Sequence, residues 1–347
     1  MKRAVVLFNL GGPDSLDAVR PFLFNLFNDG AIIGLPQPLR TAIAALIAHR
    51  RTPVAREIYA KMGGASPILA ETQKQAESLG AKLGADSGNR VFIAMRYWHP
   101  LIEETVAAVK AFMPDEILLV PLYPQFSTTT TGSFLTAWHK SAADAGLSVS
   151  AKAVCCYPLA GEFIRAHAER LREAIRDAGG ADGQRILFSA HGLPKRIVER
   201  GDPYQWQVER TAEAIVAALD IPGLDWRICY QSRVGPLEWI GPATDGEIIA
   251  AGADGRSLIV VPIAFVSEHS ETLVELDIEY RHLAERSGVR RYCRVATPGA
   301  HEAYISSLVQ LVGDLVNRKG ALQSQDLTRL CPAQFKSCPN LQWKSVA

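Results

Sequence analysis

The sequence has no apolar stretch approaching the roughly 18–20 residues that a membrane-spanning helix requires. Its N-terminal run, Met1 to Pro13, carries too short an apolar part for a secretory leader, and no small-residue cleavage site follows. It reads as a first strand entering a Gly-Gly-Pro turn. Cysteine is scarce: six residues in 347, at 155, 156, 229, 293, 331 and 338, with no spacing that suggests a disulfide framework. A reducing, cytoplasmic location is the expectation. Net charge is +1, and neither a basic run nor an aromatic RNA-binding motif is present, which argues against a nucleic-acid partner. Gly11-Gly12 lacks the third glycine of a dinucleotide fingerprint, no suitable acid ends a second strand, and P-loop and HExxH motifs are missing. What remains is a chain with 48% apolar and 21% charged residues, ordinary values for a globular protein with a substantial core.

The length suggests two domains. Short β-rich runs fall at 4–9, 90–95, 116–121, 148–155, 185–189, 226–230 and 258–261. Amphipathic helical patterns separate them at 69–83, 101–112, 162–178, 205–219 and 301–318. That alternation predicts parallel sheets covered on both faces. The runs arrive in two groups, so the expected fold is α/β, with two tandem Rossmann-like doubly wound domains. Active residues are expected at the carboxyl ends of strands, in the cleft between the domains. The expected boundaries are an N-terminal domain over 1–160, a C-terminal domain over 161–318 and an extension over 319–347, whose low periodicity predicts irregular structure. Residues 20–49 fit less well, because they are apolar but broken by Pro36 and Pro38. Two readings stand for them: ordinary core helix, or an exposed apolar lip beside a pocket.

The segment from Val260 to Tyr280 is the most informative. A β-rich run stops, His269 follows, and acids recur at Glu268, Glu271, Glu275 and Glu279. Steps of three and four place these carboxylates on one helical stripe, where their mutual repulsion is unfavourable unless a cation is received. A second histidine, His191, meets a Gly-Leu-Pro turn after the buried run Ile186-Leu187-Phe188. Two strand-end histidines facing one crevice make a stronger pattern than either alone. Trp239 lies on a Gly- and Pro-rich loop, suited either to stacking on a flat ligand or to core packing. Tyr123-Pro124-Gln125 and the threonine run after Ser127 close another strand with groups that would bind a carboxylate or cap the next helix.

At this point eight motifs resemble one family, the ferrochelatases, which insert ferrous iron into a porphyrin. They are Leu10-Gly11-Gly12-Pro13, Arg50-Arg51-Thr52-Pro53, Gly63 to Ile68, Arg96-Tyr97-Trp98-His99-Pro100, Tyr123-Pro124-Gln125, Ser189 to Pro194, Tyr230 to Pro236, and Val261 to Tyr280. They occur in order from about residue 4 to residue 318. The resemblance implies an enzyme that converts protoporphyrin IX and Fe²⁺ to protohaem with release of two protons, as a monomer or homodimer. It implies His191 and Glu271 as catalytic residues, and His191, Glu271, His269 and Glu275 as the metal path. Leu10, Arg51, Tyr59, Tyr123 and Trp239 correspond to porphyrin-pocket positions. The apolar lip corresponds to a membrane-facing pocket mouth, which makes peripheral contact with the inner face of a membrane an expectation.

The chemistry requires such residues. A free-base porphyrin loses two pyrrole protons as iron enters, so a neutral base must stand near the ring, and an isolated imidazole titrates near pH ~6.5. Gripping the macrocycle between rigid walls bends it and exposes a nitrogen lone pair. Imidazole and carboxylate suit ferrous iron. Some relatives hold a [2Fe-2S] cluster through three C-terminal cysteines and a distant one. Here only Cys331 and Cys338 lie in the tail, and Thr128 stands where animal-type relatives place the distant cysteine. Cys155 and Cys156 are the residues that would complete a set of four. Other readings of the whole chain remain: a coproporphyrin or cobalt chelatase of the same fold, or a metal or haem carrier without turnover.

Overall fold

The computed structural model describes residues 1–84, 88–233, 235, 237–317, 320–325 and 329–341. Val234 and Pro236 of the Tyr230–Pro236 motif, and Arg318 at the expected end of the second domain, lie outside the described residues. The first sheet is built from β1 (Arg3–Asn9), β2 (Asn89–Met95), β3 (Glu116–Pro121) and β4 (Ala151–Cys156). The second contains β5 (Gln184–His191), β6 (Trp226–Gln231), β7 (Ser257–Pro262) and β8 (Tyr292–Arg294). A last strand, β9 (Leu322–Ser324), returns to the first sheet. The orders are β2-β1-β3-β4-β9 and β6-β5-β7-β8, and every pairing is parallel. Strands such as Ala4-Val5-Val6-Leu7-Phe8 and Leu258-Ile259-Val260-Val261 are wholly buried, as parallel sheets covered on both faces require.

The covering helices are α1 (Val19–Phe27), α2 (Gln37–Ala60), α3 (Ile68–Leu83), α4 (Ile102–Phe112), α5 (Thr131–Asp144) and α6 (Gly161–Asp177). They continue with α7 (Lys195–Glu199), α8 (Tyr204–Leu219), α9 (Thr244–Ala253), α10 (Tyr280–Arg286) and α11 (Glu302–Asn317). Between β7 and α10 lies a π-helix, Glu271–Glu279. Pro36 and Pro38 do not fragment the apolar segment. They sit at the start of α2, where a missing N–H is no loss, and the helix then runs 24 residues through Pro53. Leu39, Leu46 and Val54 stay exposed on it, while Phe22 and Leu23 of α1 bury beneath, beside Ala48, Tyr59 and Tyr97.

Two extensions of the chain cross back onto earlier structure. Helix α11 packs on α6 and α3 and on β3 and β4 of the first sheet. Its Tyr304 hydroxyl lies 3.0 Å from that of Tyr157 in a shared core. The tail, expected to be irregular, contributes β9 along β4, with Ala153 opposite Leu322 and Cys156 opposite Ser324. Nothing in Leu322-Gln323-Ser324 has strand periodicity; the pairing partner makes it a strand. Buried glutamines stitch the two halves together. Gln75 of α3 donates to the carbonyls of Val266 (2.8 Å) and Gly299 (3.1 Å). Gln125, after β3, donates to Thr211 Oγ1 (3.0 Å) and to the Ile263 carbonyl (3.1 Å).

Candidate active site

The carboxyl end of β5 carries His191, which is the last strand residue rather than a loop residue. Its Nδ1 lies 2.6 Å from the carbonyl oxygen of Gly192. A carbonyl only accepts, so Nδ1 holds the hydrogen and Nε2 of the neutral ring carries the lone pair. Gly192 has no room for a side chain: a Cβ there would stand 2.9 Å from the Gln231 carbonyl and 3.2 Å from the Trp239 ring. The close approach seats the indole against Gly192, the residue that follows the histidine. Trp239 is fixed by a bridge to Pro194 and by the flanking bonds Lys195 N to Glu238 O (2.9 Å) and Ile240 N to Leu193 O (3.0 Å).

Facing this strand end is the turn before the π-helix. His269, 7% exposed, places Nε2 2.8 Å from a Glu271 carboxylate oxygen. Burial disfavours charge on both, yet each outweighs that penalty for the other. The Glu271 carboxyl is held well below its usual range by His269 and, beyond it, by the field of His191. Burial pulls the His269 imidazole down, but Glu271 and then Glu268 bring its pKa above the ordinary value. Tyr59 of α2 reaches the same point from the first half of the molecule. Its hydroxyl is hydrogen-bonded to Ser270, and burial, with the Glu271 carboxylate next, pushes its pKa up. His191, His269, Glu271 and Tyr59 thus come together between the two sheets, with Trp239 packed on Gly192 next to His191.

The expected stripe of four acids is altered. Glu268 precedes the π-helix and turns away, accepting from Arg294 Nη1 (3.0 Å) and the Thr297 amide (2.8 Å). Glu275 accepts from Ser232 N (2.8 Å), Ser232 Oγ (2.5 Å), Gln231 Nε2 (2.9 Å) and Tyr280 Oη (3.2 Å), so donors occupy both of its oxygens. Glu279 is half exposed and 3.9 Å from Lys61 Nζ. The ladder runs from a buried ion pair through a saturated carboxylate to solvent. Sequence reasoning missed Gln231, whose Nε2 bonds to the Glu271 carbonyl and to Glu275 while its Oε1 accepts from Ser189 Oγ (2.7 Å). Its place at the end of β6, in register with His191, was the available signal.

The remaining pocket candidates lie on the first half. Leu10 bonds its carbonyl to Tyr97 N (2.9 Å) and packs with Tyr59 and Tyr97. Gly11 and Gly12 serve close approach, not phosphate binding: a Cβ on Gly12 would fall 2.5 Å from Ser66 Oγ. Arg51 is exposed on α2, its guanidinium 5.8 Å from the Phe27 ring centre. Tyr123 lies beside Phe8, with ring centres 6.3 Å apart, and burial pushes its hydroxyl pKa up, with Tyr97 contributing. The Asp29 carboxylate, which takes bonds from Tyr97 Oη (2.7 Å) and Arg96 Nη2 (3.0 Å), ties the α1–α2 turn to this wall.

A second cluster forms 331–338 onto 155–156. Pairing of β4 with β9 shifts register between Val154 and Cys156, and this irregularity breaks the alternation that would send Cys155 and Cys156 to opposite faces. Their sulfurs lie 3.5 Å apart. Cys156 contacts Cys331, and Cys331 contacts Cys338, so four thiols form a chain. Contact with its neighbours, led by Cys156, pushes the Cys331 thiol up to about 11. Among the described residues no group of three or more His, Cys, Asp or Glu is arranged to hold a single metal ion. Thr128, at the position of the animal-type cysteine, instead donates to Asp202 Oδ2 (2.7 Å).

A family model described as Ferrochelatase matches residues 2–315. The chain is 52% identical to a ferrochelatase of Caulobacter vibrioides, over 97% of this chain and 97% of that protein. It is 53% identical to one from Phenylobacterium zucineum (97% and 98% covered) and 46% identical to one from Pelagibacter ubique (99% and 100%). Among solved structures, SirB from Bacillus subtilis with Fe3+ aligns with a TM-score of 0.54 at 16% identity, over 91% of this chain and 96% of that one, a likeness of fold.

Proposed function

The chain belongs to the ferrochelatase family, and from that premise we infer that it inserts ferrous iron into protoporphyrin IX, releasing two protons, as an enzyme of haem synthesis. The observation that supports the residue assignment is the tie between the end of β5 and the His269–Glu271 pair: Gln231, in register with His191, bonds to the Glu271 carbonyl. In this reading His191 takes the pyrrole protons, its ring oriented by the Gly192 carbonyl. Glu271, kept ionised by His269, stabilises the cation that is entering or the proton that is leaving. Tyr59, Leu10, Tyr123, Arg51 and Trp239 form the walls and rim for the macrocycle, Trp239 stacking nearest the base. Glu275 is the next station outward, once its bonds to Ser232 and Gln231 loosen.

Following porphyrin fluorescence while ferrous iron is added tests the function. Wild type should quench protoporphyrin with turnover, and His191→Ala should lower kcat by about 10²-fold or more with porphyrin still bound. Activity near wild type in that variant would reject His191 as the base. Coproporphyrin turned over faster than protoporphyrin would move the assignment to the coproporphyrin reading, which no feature of the site favours.

The four thiols support a [2Fe-2S] cluster on Cys155, Cys156, Cys331 and Cys338. Four cysteines are the number such a cluster requires, and the mutual contact that raises the Cys156, Cys331 and Cys338 pKa values is relieved when iron replaces the protons. A bound cluster would supply a redox-sensitive crosslink between tail and core. Anaerobically purified protein should show visible absorbance and about two irons per chain; colourless, iron-free protein would reject the cluster. The exposed apolar residues of α2, interleaved with Arg40, Arg50 and Arg56, support contact with the surface of an anionic membrane. Among the described residues no helix is long and apolar enough to cross one.

A further inference from the structure

Helix α8 touches both the thiol cluster and the base. Gln207 is fully buried, and its side-chain Nε2 has sulfur for both acceptors: Cys331 Sγ at 3.1 Å and Cys156 Sγ at 3.4 Å. Its Oε1 accepts from the Phe126 amide (2.7 Å), so the carboxamide is oriented with its donors toward the thiols. Three residues earlier, one turn up the helix, Tyr204 donates its hydroxyl to the main-chain carbonyl of His191 (3.0 Å). Between them runs rigid structure. Asp202, fully buried, accepts from Tyr204 N (3.0 Å), Ser127 Oγ (3.0 Å) and Thr128 N (2.7 Å), which pins the start of α8 to the end of β3. The tail closes over the same turn: Ser337 N bonds to the Gly201 carbonyl (3.1 Å), and the Phe335 ring centre lies 5.8 Å from that of Trp206.

We propose that the first two turns of α8 couple the state of the four-thiol cluster to the catalytic base, with Gln207 as the reader and Tyr204 as the positioning residue for His191. A neutral thiol is a weak acceptor, whereas a thiolate bound to metal makes a charge-assisted bond to the same amide. Loss of the metal, or of a sulfur, therefore weakens the hold on Gln207 at a point buried from solvent. The movement available is that of α8 against the strand end, and Tyr204 delivers it to the His191 carbonyl. The coupling rests on the reading of His191 as the base. It requires a change of state at the sulfurs but not a particular cluster.

A double-mutant cycle tests it, with kcat and porphyrin KM measured for wild type, Tyr204→Phe, Cys331→Ser and the pair. Hydrogen exchange of amides 188–192 is measured on the same proteins. Tyr204→Phe should lower kcat about tenfold at unchanged porphyrin KM. Cys331→Ser should lower kcat as well and speed exchange at 188–192 several-fold, and the double variant should be no worse than the poorer single. Gln207→Glu, which keeps the acceptor for Phe126 but removes the donors to sulfur, should behave as Cys331→Ser. Multiplying effects in the cycle, or unchanged exchange at 188–192 in Cys331→Ser, would overturn the coupling, and exchange is readable even where activity is lost. A wild-type protein without an iron–sulfur chromophore would reject the cluster alone. Full activity in His191→Ala would reject the base alone.

Discussion

His191 ends strand β5 and His269 lies in the turn that leads into the π-helix, and their neighbours separate them further. His191 gives one nitrogen to a main-chain carbonyl, whereas His269 is locked to Glu271. The pair also sets a pH signature. His269 has a raised folded pKa, so its contribution to stability is complete below its unfolded value, about 6.5, and fades as pH rises through the folded one. Glu271 has a lowered folded pKa, so its contribution is complete above its unfolded value, about 4.3, and fades as pH falls through the folded one. The stability difference between wild type and Glu271→Gln, measured by urea unfolding, should therefore be widest between about pH 4.5 and 6.5 and narrow on either side. A difference that does not vary with pH would contradict the ion pair. Spacing in the sequence pointed to a four-acid stripe, Glu268, Glu271, Glu275 and Glu279, beside His269, and the family resemblance singled out His269, Glu271 and Glu275. The stripe misplaced Glu268, because spacing cannot reveal that Arg294, on a strand too short to show any periodicity, draws that carboxylate to the far side.

At the level of elements, the strands of both sheets were legible, since fully buried parallel strands are written as unbroken apolar runs such as Leu258–Val261. Those that escaped, β8 and β9, have three residues each and exist only by pairing with β7 and β4. Helix α9 escaped because Gly246 and Gly252 dilute its pattern; Gly252 is there because α9 meets Ser287, whose carbonyl oxygen would lie 1.9 Å from an added Cβ. The π-helix was read as an ordinary helix, because steps of four residues suit either winding and only the i to i+5 hydrogen bonds distinguish them. The tail element carries its own prediction. Deleting residues 321–347 should lower stability by on the order of 3 kcal/mol in urea unfolding, since β4 loses its neighbour and Gln207 its Cys331 acceptor. An unchanged midpoint would show that the tail lies passively on the core.

Over the whole molecule, Gln75 and Gln125 join the two halves behind the cleft, and the α1–α2 lip borders its front. On the lip, exposed Leu39, Leu46 and Val54 stand among arginines. Replacing Leu46 and Val54 together by Glu should weaken sedimentation with anionic phospholipid vesicles about tenfold or more, and equal binding would place the membrane contact elsewhere. The pairing of β9 with β4 also sets a timetable. The ribosome makes β4 and its two cysteines well before β9, Cys331 and Cys338, a delay of roughly 10–30 s at ordinary elongation rates. For that interval the sheet has an open edge and Cys155 and Cys156 have no tail above them. Every nascent chain therefore passes through a stage at which both cleft-facing sheets are largely made while the edge of the first is still uncovered and its two cysteines still lack Cys331 and Cys338.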